Sequence, residues 1–167
     1  MVDTPLLKDL LAANAEYART FDRSKLGLPP AKKLAVLACM DARIDVHALL
    51  GLQEGDTHVI RNAGGVATED ALRSFIVSAE LLGTKEFLVI NHTDCGMLTF
   101  KDKDLQDTLT KKYNANAAKI SFHAFGDLEE NARTQVERIK ANPFIPKNIP
   151  VTGFVYDVKS GKLNRVT

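Results

Sequence analysis

The sequence predicts an α/β fold on a mostly parallel sheet, and three features carry that prediction. The apolar run at residues 34–40 and the segment 86–91, apolar between Glu86 and Asn91, have the length and continuity of strands buried on both faces. Helical signals stand between successive strand-like runs, as a parallel sheet with crossover helices requires. Only the final pair, 151–158 and the short segment after Lys159-Ser160-Gly161-Lys162, follow one another through a turn, which places a hairpin at an edge.

Each element has its own justification. Thr4 before Pro5 makes an N-cap and first-turn pair. Leu7, Leu10, Leu11, Ala15, Ala18 and Phe21 then recur at helical spacing, so an amphipathic helix runs to about Phe21. Gly27, Pro29 and Pro30 bar its continuation. After the strand at 34–40, a short helix covers Asp45 to Leu50 and ends at Gly51, and Thr57 to Ile60 forms a second strand. Gly64-Gly65 supplies a turn. Thr68 caps the next helix, with Glu69 and Asp70 suiting its positive end and Gly83 closing it. Glu86 to Asn91 is the third strand. Residues 98–125 carry the weakest pattern, with a helix between Asp102 and Tyr113. Asp127 and Glu130 have capping-box spacing for a long helix to about Ala141, stopped by Asn142-Pro143 and Pro146.

Composition narrows the function classes. The 167 residues suit one domain, and a net charge of +1 gives no electrostatic bias toward nucleic acid or an anionic membrane. The longest apolar run, Leu34 to Met40, is far below the roughly 18 residues of a membrane span. The N-terminus lacks a secretory pattern, so a cytoplasmic location with reduced cysteines is expected. The 2 cysteines exclude a disulfide-stapled scaffold.

Those cysteines stand where chemistry gathers in a parallel sheet, beyond the carboxyl ends of strands. Cys39 ends the first buried strand and is followed by Asp41 and Arg43; His92 follows the third and precedes Cys95. Two thiolates and an imidazole match a tetrahedral zinc set, and three protein ligands leave a fourth position for water or substrate. The spacing alone equally admits two buried apolar cysteines, a disulfide, or a Cys95 nucleophile with His92 as its base. Asp41 and Arg43 alone read as a strand-end ion pair, and His47, His58 and His123 as surface or core residues.

Cys39-Met40-Asp41-Ala42-Arg43 followed by His92-Thr93-Asp94-Cys95-Gly96 resembles the paired C-x-D-x-R and H-x-x-C-G motifs of the β-class carbonic anhydrases. Arg61-Asn62-Ala63-Gly64 is similar to the R-N-x-[AG] segment that lies between them in that family. The likeness runs from about residue 32 to 100, with weaker support from Gly153 to Thr167. It implies four parallel strands with an antiparallel fifth at the edge. It also implies zinc held by Cys39, His92 and Cys95. The implied reaction is reversible hydration of carbon dioxide to bicarbonate and a proton by zinc-held hydroxide. Asp41 and Arg43 are then the catalytic pair gating the fourth zinc position: Asp41 either accepts a hydrogen bond from the hydroxide or closes the site by binding zinc itself, and Arg43 draws it away.

The resemblance further implies a single domain over 1–167 and an obligate homodimer or higher even oligomer. Residues 1–25 form a helical arm on the partner subunit, and the active site lies in a cleft at that interface. The chain is shorter than most members, chiefly between Gly96 and the last helix, as in compact microbial forms. A cleft glutamine of plant-type members lacks a clear counterpart, and with 0 Trp the non-catalytic bicarbonate site of some members is not expected. Two rivals share these motifs: a carbon disulfide or carbonyl sulfide hydrolase, and a silent zinc-binding homologue. Intact Asp41 and Arg43 argue against the second.

Overall fold

A computed structural model describes residues 3–167; the first two residues of the expected 1–25 arm lie outside the described residues. Helix α1 spans Pro5–Arg19, β1 Leu34–Cys39, α2 Val46–Leu50, β2 Thr57–Asn62, α3 Glu69–Glu80 and β3 Glu86–His92. A 3-10 turn at Gly96–Leu98 leads into α4 (Asp102–Tyr113), α5 (Leu128–Ala141), β4 (Val151–Tyr156) and β5 (Leu163–Arg165). The strand order is β2-β1-β3-β4-β5, with four parallel strands and only β5 antiparallel. That is the sheet the resemblance implies.

The expected caps are present. Thr4 accepts from the Leu7 amide, Thr68 from Ala71 and Asp127 from Glu130; Asp45, expected as the first residue of α2, instead caps it by accepting from His47 and Ala48. Element ends differ by one to three residues from the sequence reading, as boundaries do. Helix α1 stops at Arg19, where Thr20 donates its amide to the Tyr17 carbonyl, rather than running to Phe21. Helix α3 ends at Glu80, so Gly83 turns the chain toward β3 instead of capping the helix. Strand β3 extends one residue beyond Asn91 because His92 still pairs with Tyr156, and β2 extends to Asn62 opposite Cys39.

Two apolar layers enclose the sheet. On one face Ala35, Leu37, Phe87 and Val89 pack against Ala71 and Phe75 of α3 and Val136 and Ile139 of α5. On the other, Val36, Ala38 and Ile90 meet Ile44, Val46 and Met97, with Phe100, Phe122 and Phe125 closing over them. Residues 35–38 have no solvent exposure at all, as a strand covered on both faces requires. Helix α1 behaves oppositely. None of its residues is buried, and Leu6, Leu7, Leu10 and Leu11 are 41–67% exposed. Among the described residues no helix is long and apolar enough to cross a membrane.

Candidate metal centre

Strands β1 and β3 are neighbours, so their carboxyl ends deliver Cys39 and His92 to the same rim. The turn after β3, with Asp94 at φ 55°, returns the chain so that Cys95 reaches them. The ligand atoms of Cys39, His92 and Cys95 lie within 4.8 Å of one another, and all three residues are buried. Among the described residues they form the one such cluster identified.

The state of His92 tests whether a metal fits. Its Nδ1 lies 2.8 Å from the Thr93 carbonyl oxygen, which can only accept, so Nδ1 carries a proton and, in the neutral ring that binds a metal, Nε2 carries the lone pair. His92 is 1% exposed, yet Nε2 has no hydrogen-bond partner. Leaving a buried nitrogen unpaired costs about 1–3 kcal/mol. A lone pair aimed at two thiols is what a soft cation supplies with a partner. The residues therefore fit zinc, and two free, buried cysteines within this cluster replace the disulfide alternative.

The thiols share their charge unevenly. A hydrogen bond from Cys95 above all, helped by the Gly64 amide, draws the Cys39 thiol well below its ordinary range against the opposing effect of burial. Cys95 is pushed well above the ordinary thiol range by that same hydrogen bond and by burial. For His92, burial opposes the charged form, but the adjacent Cys39 sulfur outweighs it and raises the imidazole above its usual value.

Asp41 and Arg43 sit at the mouth of the cluster. Arg43 grips Asp41 in a fork, Nε to Oδ1 at 2.9 Å and Nη2 to Oδ2 at 2.8 Å, and its backbone amide donates to Oδ1 at 2.9 Å. Arg43 Nη2 also donates to the Asp94 carbonyl at 3.1 Å, tying the two strand ends together. These bonds hold the Asp41 carboxyl well below the usual carboxylate range. Its Oδ2 is 3.8 Å from His92 Nε2, so the carboxylate borders the Cys39–His92–Cys95 cluster while Arg43 retains it.

Arg61 and Asn62 have roles that their motif alone did not specify. Arg61 donates from Nε to the Cys39 carbonyl at 3.0 Å and from Nη2 to the Asp41 carbonyl at 2.7 Å, fixing the path out of β1. Asn62 clasps Val66 through both amide atoms, at 2.7 and 2.8 Å. The turn so formed needs glycine: Gly64 and Gly65 have φ of 82° and 59°. A Cβ on Gly65 would lie 2.9 Å from Asn91 Nδ2 and 3.1 Å from the Cys39 amide.

The remaining histidines stay outside the cluster. His58 Nδ1 meets Ser78 Oγ at 2.8 Å, His123 Nδ1 lies 3.3 Å from Ser121 Oγ, and His47 belongs to the short α2. A further feature escaped the sequence reading. Asp102 at the start of α4 accepts from the backbone amides of Phe122, His123 and Ala124 at 2.9–3.2 Å. His123 at φ 59° makes those successive amides converge, a concave anion nest filled by the chain's own carboxylate. Asp102 thus pins the loop that carries Phe122 and Phe125 against the apolar layer to which both cysteines belong.

Comparison with known proteins agrees with this geometry. The family model described as carbonic anhydrase matches residues 34–163. β-Carbonic anhydrase 1 of Mycobacterium tuberculosis is 46% identical over 159 residues, covering 95% of this chain and 96% of that protein. A carbonic anhydrase structure from Streptococcus mutans superposes with a TM-score of 0.93 at 36% identity, covering 100% of both chains. A carbon disulfide hydrolase of Acidithiobacillus thiooxidans is 35% identical over 177 residues, covering 94% of this chain and 89% of its own length.

Proposed function

This chain belongs to the β-class carbonic anhydrase family, whose enzymes use zinc, and we propose that it catalyses reversible hydration of carbon dioxide to bicarbonate and a proton. The observation that carries the reading is the unpaired, buried Nε2 of His92 facing two cysteines beside a carboxylate restrained by arginine. Cys39, His92 and Cys95 are the proposed zinc ligands, and Asp41 and Arg43 the catalytic pair.

When bound there, zinc acidifies a water molecule and supplies a nucleophile for the carbon of the substrate. The chain's own residues do the rest. The Thr93 carbonyl holds the His92 ring in the tautomer that presents Nε2. Asp41 stays deprotonated through neutral pH, so its oxygens accept hydrogen bonds and do not donate protons. Arg43 keeps that carboxylate at the border of the site and off the metal position. Phe122 and Phe125, pinned through Asp102, restrict water on the apolar side and suit a small, uncharged, linear substrate.

Helix α1 extends the proposal to assembly. An exposed leucine stripe at residues 6, 7, 10 and 11 fits an arm over a second copy, in a homodimer or higher even oligomer.

Hydrolysis of carbon disulfide or carbonyl sulfide is the second reading, because hydrolases of the first kind are also relatives over most of the chain. The higher identity to a carbonic anhydrase favours carbon dioxide. The test is metal analysis followed by stopped-flow hydration over about pH 6–9, with carbon disulfide assayed in parallel. About one zinc per chain with carbon dioxide turnover is expected. Turnover of carbon disulfide alone transfers the assignment to the hydrolases. Zinc without either activity indicates a silent homologue, and a protein that takes up no zinc overturns the proposal.

A further inference from the structure

Three amide side chains are buried behind the Gly64-Gly65 turn. Asn91 on β3 is 1% exposed, and Asn131 and Gln135, one turn apart on α5, are 8% and 4% exposed. Buried amides most often do no more than satisfy one another within a core. These three do more, because their hydrogen bonds start and finish on one short turn. The Ala67 amide donates to Gln135 Oε1 at 3.0 Å. Gln135 Nε2 donates to Asn131 Oδ1, Asn131 Nδ2 to Asn91 Oδ1, and Asn91 Nδ2 to the Gly64 carbonyl, each at 2.8 Å.

The two ends set the direction of the whole relay. A backbone amide only donates and a carbonyl only accepts, so each of the three side chains has one workable orientation. Bonds aligned in this way polarise one another in a dry interior. The relay closes on the backbone between Gly64 and Ala67, and within that turn the Gly64 amide donates to Cys39 Sγ at 3.4 Å. Asn91 also fills the space that a Cβ on Gly65 would occupy, so the turn, the amide and the sulfur have little freedom to separate.

We propose that Asn91, Asn131 and Gln135 are positioning residues for the metal centre: they hold the 64–67 turn so that its amide orients the Cys39 sulfur, and they thereby raise zinc affinity. This rests on the assignment of Cys39 as a zinc ligand. Outer partners of ligands typically contribute about 10- to 100-fold in metal affinity. Gln135 is the informative member because none of its hydrogen bonds touches the cluster directly.

The experiment is competition for zinc against a chromophoric chelator, using the full chain. Gln135→Met removes both hydrogen bonds of that side chain. Gln135→Glu keeps the length of the side chain and the acceptor for Ala67, and sets a carboxyl oxygen against Asn131 Oδ1 where the amide donated. Val136→Ala, at the adjacent buried position of α5, is the control for lost packing. Both Gln135 variants are expected to release zinc about tenfold more readily or worse, while Val136→Ala lowers Tm and leaves zinc affinity at the parent value. Gln135 variants with the parent's affinity overturn the proposal, as does an equal loss in Val136→Ala. If Gln135→Met does not fold, Gln135→Glu decides alone. A parent protein that takes up no zinc instead overturns the functional reading and this inference with it.

Discussion

Helix α1 buries none of its 15 residues, whereas Cys39, His92 and Cys95 at the ends of β1 and β3 are at most 5% exposed. Both regions are amphipathic solutions to folding, but they complete themselves differently. At the strand ends nearly every polar group has a partner from the same chain: Arg43 on Asp41, Arg61 on two carbonyls, Thr93 on His92. Among the described residues one buried side-chain nitrogen or oxygen is left over, His92 Nε2, and the proposed function gives it a metal as partner. On α1 the unsatisfied element is an apolar stripe, and what satisfies it is more apolar surface. The rim presents a lone pair suited to an ion; the helix presents an apolar stripe suited to more apolar surface.

That contrast breaks first at the ligands. Cys39→Ser is expected to lose more zinc affinity than the 10- to 100-fold typical of supporting residues, and hydration activity with it. Retained zinc and activity, read by metal analysis and stopped flow, would remove Cys39 from the site.

Replacing leucines 7, 10 and 11 by glutamate tests the other side. Full burial of a leucine contributes about 1.5–3 kcal/mol, so association through α1 should weaken by at least roughly a thousandfold. Sedimentation should show the smaller species with its zinc intact. An unchanged mass would mean that α1 holds no subunit.

Arg43→Ala leaves the ligands in place but frees Asp41. Activity per bound zinc should fall about 10- to 100-fold, and full activity in this variant would sink the gate.

The smallest effect concerns the loop above the cysteines. Asp102→Ala unpairs three amides and should cost about 1–2 kcal/mol, a fall of roughly 2–8 °C in Tm. The amides of Ala124, Phe122 and His123 hold the Asp102 carboxyl below the usual carboxylate range. A depressed carboxyl stabilises the fold fully above its ordinary pKa of about 3.9, and that contribution disappears as pH falls through the lower folded value. The Tm gap between parent and variant should therefore be constant near neutrality and close in acid; a gap that persists in acid would show that Asp102 acts through packing alone.

How much of this was legible in the sequence follows from where each signal resides. Strand β1 was plain because Leu34 to Cys39 admits no polar residue, and the caps at Thr4, Thr68 and Asp127 declare themselves within four residues. Cys39, His92 and Cys95 could be named as candidates, yet spacing left a disulfide open until the sheet brought all three to one rim without an S–S bond. The amide relay was hidden for a physical reason. Asn131 and Gln135 have the i,i+4 spacing of a solvated helix face, and only the placement of α5 over β3 turns that face inward. Asp102 was hidden by distance along the chain, since its backbone partners begin 20 residues later and converge through a left-handed His123.

The one-way order of the Gln135, Asn131 and Asn91 bonds has a consequence for how this sequence can drift. Exchanging one amide strands the groups on either side of it in a dry interior, and exchanging all three for apolar residues still leaves the Ala67 amide and the Gly64 carbonyl without partners. Once one member is lost, losing the others should cost less than it would alone. In a library covering these positions the signature is strong epistasis among Asn91, Asn131 and Gln135, with the intact trio favoured over partial and complete replacements. That restriction arises from a direction built into the hydrogen bonds, and a count of buried atoms alone does not reveal it.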